Sequence, residues 1–460
     1  MACEVEKIKS ALAALAEQSG SGLFGWTLTT ETAVSHQALM IGKDGNALTV
    51  FQSRQVADDC ATLRVFTRHG TPVRQGVAVV TLDPMADPSA QIAVACDASR
   101  GVDNPPWNLP APPLSDYPGV TTADQAVADN PSGEHARLIA VASRESARLK
   151  GVQINSAEAY VSFRRLRFES STGIVAQRAV SEVYFELAAE RLPGPNVQEV
   201  SPLVEATSVD GLDLPEYFER VAEEACALTG AELPPTSRNA TIVIGPEAIT
   251  ALLHELRGQL QADAEYERGP HLIPGDSVAD GALAKGGEAL TLTLDPFRPA
   301  MVESTPFTSE GLSAERGLVI EDGVVRKQLV SARMGQYLGR PANGICGNML
   351  VPLGCSDKAV WFATLPEVLE IRTFSSLLIN PRTLTWSSEI KLGRRYRSGH
   401  LPVTIKGGVV SGSLRKNLCD CAFSSGRIVR SDLPDGWKSA RGYDGPDAML
   451  IRAGVQVAGV

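Results

Sequence analysis

His254 and Glu255 are adjacent residues whose side chains could act as a metal ligand and a general base. They follow the β-branched run 241–244 and the dipeptide Gly245-Pro246, where the pattern changes from strand to helix. Proline is tolerated at a first helical position because no N–H is needed there. At about 100° per residue, the pair lies off the apolar stripe of this helix, facing a cleft or solvent. The predicted stripe consists of Ile249, Leu252, Leu253, Leu256 and Leu260.

A catalytic zinc site normally takes three protein ligands and leaves one position open. The chain has six histidines, but no second one lies near His254 on this helix. Gln259 stands five positions further on, and an amide is a poor zinc ligand. We therefore predict no metal in this chain and favour His254 and Glu255 as a polar pair. The alternative is a metal site that another segment or another chain completes.

The elements that must position this helix form an α+β pattern. A chain of 460 residues exceeds one ordinary core, so two domains are expected. The segment 231–238, with two adjacent prolines, marks the predicted boundary. Residues 1–230 form a predicted α/β N-terminal domain that contains a proline-rich extended connection at 103–118. Residues 239–460 form a predicted β-rich C-terminal domain.

Composition excludes some classes of function. The formal net charge of −10 argues against general nucleic-acid binding, which favours basic surfaces. No apolar run reaches the roughly 20 residues that span a bilayer, and residues 1–18 predict an amphipathic helix rather than a signal peptide. Eight scattered cysteines indicate reduced thiols. We therefore expect a cytoplasmic protein with no nucleic-acid or membrane partner.

Three further patterns each allow a plain and a sharper interpretation. Cys419-Asp-Cys421 lacks the spacing of a structural zinc site, so packed thiols are favoured over a metal site. Gly407-Gly408 favours a bulge or a close backbone approach, with pairing to an extended peptide as the alternative. The basic, aromatic run 162–168 favours a charged strand over a groove for an anionic partner.

The segment around His254 resembles the TldD/PmbA family, also called TldD/TldE. TldD members carry His-Glu-x-x-x-His on this helix and are metalloproteases, whereas PmbA (TldE) members lack the motif and pair with TldD. Residues 305–316 resemble the PmbA segment Thr-Pro-Phe-x-x-Glu-Gly-x-x-x-x-Arg. TldD members also supply a cysteine ligand near the C-terminus, but no cysteine follows Cys421 here. The segment 445–460 is similar to the C-terminal segment of PmbA proteins, in which a short strand ends in an Ala-Gly dipeptide.

The resemblance implies a non-metal, TldE-like subunit of a heterodimeric metallopeptidase, with zinc in a TldD-like partner. It also implies hydrolysis of amide bonds in small or unfolded peptide-like substrates, including the maturation of peptide-derived natural products. The neighbourhood of Gly407 and Gly408 faces the substrate in this family, so both are candidate substrate-binding residues. Two alternatives remain open. One is a stand-alone, metal-independent enzyme that uses His254 and Glu255, and the other is a non-catalytic peptide-binding protein.

Overall fold

The computed structural model describes residues 2–18, 20, 22–42, 47–191, 199–434 and 438–459. An antiparallel sheet of seven strands organises the N-terminal half, in the order β3-β2-β1-β4-β5-β6, with β7 also paired to β5. Its strands are β1 (Leu23–Gly42), β2 (Leu48–His69), β3 (Arg74–Thr81), β4 (Val152–Ser170), β5 (Val175–Arg191), β6 (Glu199–Val200) and β7 (Leu203–Ala206).

In the described residues, five α-helices and a short 3-10 helix (Asp210–Leu212) accompany this sheet. The α-helices are α1 (Ala2–Glu17), α2 (Pro88–Ser99), α3 (Gln125–Asp129), α4 (Pro131–Ser146) and α5 (Leu214–Ala227). Two of them, α2 and α5, begin with an aspartate cap and a proline in the first turn, and in α5 Asp213 accepts from the Glu216 N–H. Alternate residues of β4 and β5 are buried against these helices, which is the period of two expected for a half-covered sheet.

Two further sheets make up the C-terminal half. One has the order β11-β10-β9-β12-β19-β18, and the other has the order β17-β20-β8-β13-β15-β16-β21, with β14 paired to β15. The strands are β8 (Ile242–Ile244), β9 (Leu292–Asp295), β10 (Gly317–Glu321), β11 (Val324–Val325), β12 (Asn348–Leu350), β13 (Glu367–Phe374), β14 (Leu378–Ile379), β15 (Thr385–Arg397), β16 (Val403–Ser413), β17 (Cys421–Phe423), β18 (Arg427–Asp432), β19 (Arg441–Pro446), β20 (Met449–Ile451) and β21 (Val455–Ala458).

The helices of this half are α6 (Pro246–Gln259), α7 (Ala262–Tyr266), α8 (Ala332–Leu338), α9 (Lys358–Thr364) and α10 (Leu414–Asn417). All five residues of the predicted apolar stripe on α6 are buried in one core that includes side chains from both sheets. The α+β fold class is thus confirmed, and each sheet draws its strands from one half of the chain. The domain limits at 230 and 239 stay a prediction.

The proline-rich connection 103–118 is extended, with neither helix nor strand. It also links the two halves. The Tyr337 hydroxyl of α8 donates to the Pro105 carbonyl at 2.6 Å, and Trp107 packs edge-on against the Tyr337 ring. The Tyr117 hydroxyl donates to the Gly311 carbonyl at 2.6 Å. No helix in the described part of the chain is long and apolar enough to cross a membrane.

Candidate functional site

The α6 helix is positioned by the strand before it. β8 lies between β20 and β13 in the eight-stranded sheet, so the chain leaves the centre of that sheet at Gly245 and enters the helix at Pro246. His254 and Glu255 are each partly exposed on the side away from the core, as the helical spacing predicts. The Glu255 side chain makes no hydrogen bond or ion pair with the described residues.

His254 contacts a guanidinium group from its own helix. Arg257 Nη2 donates to His254 Nδ1 at 3.1 Å. Burial is the main cause that lowers the pKa of His254 to about 3, and the positive charges of Arg257 and Arg441 lower it further. The imidazole is therefore neutral at physiological pH. Because a guanidinium can only donate, Nδ1 must accept and the ring proton must lie on Nε2.

Arg257 is itself fixed by two other partners. Its Nη1 donates to Glu303 Oε1 at 2.8 Å and to the Gly347 carbonyl at 3.1 Å. The other carboxylate oxygen of Glu303 accepts from the Gly442 N–H at 2.9 Å. Burial raises the pKa of Glu303, although the charge of Arg257 opposes that shift. Arg257 and Glu303 thus form an ion pair inside the protein.

Arg441 adds a second positive charge to this group. Its Nε atom is buried and has no hydrogen-bond partner among the described residues. Together with Arg257 it gives His254 a cationic environment. Such an environment disfavours both protonation of the ring and the approach of a divalent cation. The sequence did not single out Arg257, Glu303 or Arg441, because only tertiary structure brings them together.

Gln259 is buried, with only 4% of its surface exposed. Its amide nitrogen donates to the carbonyls of Pro381 and Arg382, at 2.9 Å and 3.1 Å. These bonds fasten the end of α6 to the turn between β14 and β15. The residue five positions after His254 is thus a structural link between helix and turn, with no hydrogen bond to His254 in the described structure.

Cys419 and Cys421 are free thiols, of which Cys419 is partly buried and Cys421 is buried. Cys421 donates to the Glu288 carbonyl at 3.4 Å, and burial raises the pKa of its thiol to about 12. Cys419 donates to the Arg415 carbonyl at 3.5 Å. Within the described residues, no three His, Cys, Asp or Glu side chains are grouped so that they could hold a metal ion.

Comparisons with known proteins agree on one family. The family model for the PmbA/TldA metallopeptidase C-terminal domain matches residues 237–433. The "Metalloprotease" of Archaeoglobus fulgidus is 30% identical over 143 residues, which are 30% of either chain. "Metalloprotease PmbA" of Escherichia coli O157:H7 is 26% identical over 145 residues, or 31% of this chain and 30% of the relative. Residues 237–433 of this chain are thus similar to the C-terminal domain of the PmbA/TldA metallopeptidases.

The match to either curated relative spans less than a third of that relative's length. The fold agreement extends much further. TldE from Thermococcus kodakarensis superimposes with a TM-score of 0.78, covering 98% of this chain and 100% of that one at 13% sequence identity. At that identity the likeness shows the fold, and it includes both the N-terminal sheet and the C-terminal sheets.

The structure explains the PmbA-like segment 305–316 as a link between the two halves. Phe307 packs with Phe168 and Ile174 of the N-terminal half. Gly311 has φ +84°, and a Cβ there would lie 2.7 Å from the Phe168 ring, so only glycine fits. Glu310 accepts from the Ala332 N–H at 2.6 Å, at the start of α8. Segment 305–316 therefore connects the two halves and fixes the start of α8.

Gly407 and Gly408, the candidate substrate-binding residues, lie in a bulge of β16. Both have positive φ values, +79° and +66°. A Cβ on Gly408 would lie 2.5 Å from the Ala458 carbonyl oxygen, which supports the close-approach interpretation. The next residue, Val409, pairs with β15 on one side and β21 on the other. Their role in binding substrate stays a prediction, and a peptide would have to reach them from a face of the sheet.

The basic strand 162–168 also has a structural explanation. It is the middle of β4, between β1 and β5. Arg164 forms ion pairs with Glu31 of β1, at 3.5 Å, and with Glu182 of β5. The charged-strand interpretation therefore accounts for the contacts of Arg164.

Proposed function

We propose that this chain is the non-metal, TldE-like subunit of a heterodimeric metallopeptidase. In this proposal a TldD-like partner holds the zinc and carries out the hydrolysis. The substrates are small or unfolded peptide-like molecules, including precursors of peptide-derived natural products, and the complex works in the cytoplasm. This chain forms part of the wall of the cavity in which the complex holds its substrate.

The donor that faces His254 Nδ1 is the observation that carries this proposal. A histidine that binds a metal through one ring nitrogen uses the other as an N–H donor to a carboxylate, a carbonyl or water. Here Nδ1 faces the Arg257 guanidinium, which has no acceptor. Ligation through Nε2 would therefore place two donors against each other. The Gln259 side chain adds support, since its amide nitrogen donates to the Pro381 and Arg382 carbonyls and so ties this residue to the turn after β14.

A strand in the N-terminal sheet supports the need for a partner. Residues 50–59 of β2 are exposed at every position, so neither face of this stretch is covered. β3 pairs only with residues 62–69, so the outer edge of 50–59 has no partner strand among the described residues. Phe51 is 71% exposed there, near Val50 and Val56. Exposed edges of this kind are templates for pairing with another chain.

The metal content and activity of the lone chain test the proposal. The chain purified alone is expected to retain far less than one zinc per molecule and to show no amide hydrolysis. After co-expression with a TldD-like protein, the purified complex is expected to contain zinc and to hydrolyse amide bonds, and a chelator should inhibit this hydrolysis. Hydrolysis by the lone chain that survives chelation would instead favour a metal-independent enzyme using His254 and Glu255. Zinc bound tightly through His254 would contradict the proposal.

Phe51→Glu tests the partner surface separately. A charge at this exposed position should weaken association with the TldD-like partner at least 30-fold, because aromatic side chains dominate interface energies. The melting temperature of the lone chain should not change. Val79→Glu is the matched control, since Val79 is exposed to a similar degree, 57%, on β3. Equal association of both variants with the partner would place the interface elsewhere.

A further inference from the structure

A cavity of about 650 Å³ lies in the C-terminal half, where β14, β15, β16 and the turn before β21 converge. This volume is within the range of small-molecule sites. Its lining contains neither His254, Glu255, Gly407 nor Gly408. It is therefore separate from the residues that the family resemblance points to.

The cavity carries two positive charges and no negative one. Arg238 and Lys416 line it, whereas none of its lining residues is an aspartate or a glutamate. Neither the Arg238 nor the Lys416 side chain has a hydrogen bond or ion pair to the residues that the structure describes. In a chain with a net charge of −10, two unpaired cations facing one cavity select for an anion.

Hydroxyl groups also line this cavity. Ser387 of β15 and Ser411 of β16 are cross-strand neighbours, and Ser413 follows on the same strand. A serine hydroxyl can both donate and accept, so these side chains suit the polar part of a ligand.

The buried indole of Trp386 lies against Gly412, its cross-strand neighbour. A Cβ on Gly412 would lie 2.6 Å from the Trp386 ring, so glycine is needed for the ring to occupy this position. Trp386 Nε1 also donates to Asn417 Oδ1 at 2.8 Å, which fixes the ring.

The turn that forms one side of the cavity is held from two directions. Asn380 Oδ1 accepts from the N–H groups of Arg382 and Thr383, at 2.9 Å and 3.2 Å. From the end of α6, the Gln259 amide nitrogen donates to the carbonyls of Pro381 and Arg382. A wall fixed before binding reduces the entropic cost of holding a ligand.

We propose that this cavity is a binding site for a small polar ligand with an anionic end group, a carboxylate or a phosphate. The end group lies between Arg238 and Lys416, and the polar part of the ligand extends along Ser387 and Ser411 toward Trp386. The site belongs to the lone chain, so it does not depend on the proposed partner or on zinc.

Calorimetric titration of the purified chain tests this site with three probes. They are N-acetyl-triglycine with a free carboxylate, the same peptide with an amide end, and inorganic phosphate. Binding of the free acid but not of the amide would assign the site to peptide carboxylates, and binding of phosphate would assign it to phosphorylated ligands. Either result supports the proposal. Binding of no anionic probe overturns it.

Variants that remove one positive charge from the cavity test whether the anion binds there. Arg238→Gln and Lys416→Gln should each weaken the bound anion about tenfold, the typical effect of one hydrogen bond to a charged group. The matched controls are Arg397→Gln and Lys327→Gln, which are exposed and lie outside the cavity lining. Circular dichroism and melting temperature check that all four variants fold. Unchanged affinity in the double variant Arg238→Gln/Lys416→Gln would overturn the proposal.

Discussion

The cluster around α6 and the cavity beside β15 use their cations in opposite ways. At α6, Arg257 is shared among a carboxylate, a carbonyl and an imidazole. At the cavity, Arg238 and Lys416 have no partner among the described residues. In the first region the Arg257 donors are satisfied within the protein, while the second region presents its donors to solvent.

This difference separates stability from binding. The polar residues Arg257 and Gln259 of α6 tie the helix to Glu303, to Gly347 and to the turn after β14. Gln259 joins the two regions, because it ends α6 and fixes the turn that lines the cavity. Variants in one region should therefore change the free energy of unfolding, and variants in the other should change ligand affinity.

Arg257→Met should have the largest effect on stability, a loss of about 3 kcal/mol, because it leaves the buried Glu303 carboxylate without its counter-ion. Both side chains of this pair are only 14% exposed. Urea denaturation measures the change. Arg326→Met is the control, since the Arg326–Glu321 pair is 48% and 46% exposed and should contribute about 0.5 kcal/mol. Equal losses in the two variants would show that the α6 cluster is not a stabilising centre.

Gly412→Ala should cost about 2 kcal/mol, because the added methyl group would overlap the buried Trp386 ring. It should also weaken any anion bound in the cavity, since the ring would have to move. Denaturation and calorimetry on the same variant measure both effects. Gly258→Ala, on an exposed position of α6 with open space around it, should not destabilise. A stable Gly412→Ala variant would mean that the cavity wall is adaptable.

More of the fold than of the candidate site could be predicted from the sequence. The apolar stripe of α6 and the glycine bulge at 407–408 are local patterns, and the structure contains both. The grouping of His254 with Glu303 and Arg441 could not be predicted, because these residues come from separate elements. The cavity was missed for the same reason: Arg238 and Lys416 are far apart in sequence and form no motif. Lys43-Asp44-Gly45 has the sequence pattern of a hairpin turn, and this prediction falls outside the described residues.

Gln259→His restores the His-Glu-x-x-x-His pattern of TldD members and tests whether sequence alone makes the metal site. We expect a loss of about 1 kcal/mol, because at least one of the two bonds to the Pro381 and Arg382 carbonyls is broken. We expect no stoichiometric zinc after dialysis, since Arg257 still faces His254. Gln259→Leu is the control that breaks both bonds without adding a ligand. One zinc per molecule in Gln259→His would show that Arg257 moves aside easily.

The dependence of stability on pH tests the environment of His254 separately, because it is read as a slope. The pKa of His254 is lowered to about 3 in the folded chain, below its ordinary 6.5, so the unfolded chain binds a proton that the folded chain does not. Between pH 6.5 and about 3 this group therefore destabilises the fold as pH falls, by at most about 1.4 kcal/mol per pH unit.

His254→Gln removes that contribution, so the variant should lose less stability than the unaltered chain when the pH is lowered from 7 to 4. The raised pKa of Glu303 acts in the opposite direction, since its protonation favours the folded chain, but it is present in both proteins and largely cancels in the comparison. His400→Gln, at an exposed position, is the control. Urea denaturation at each pH gives the two slopes. Parallel slopes for His254→Gln and the unaltered chain would mean that His254 accepts a proton in the fold, and that the cationic cluster around α6 opens readily.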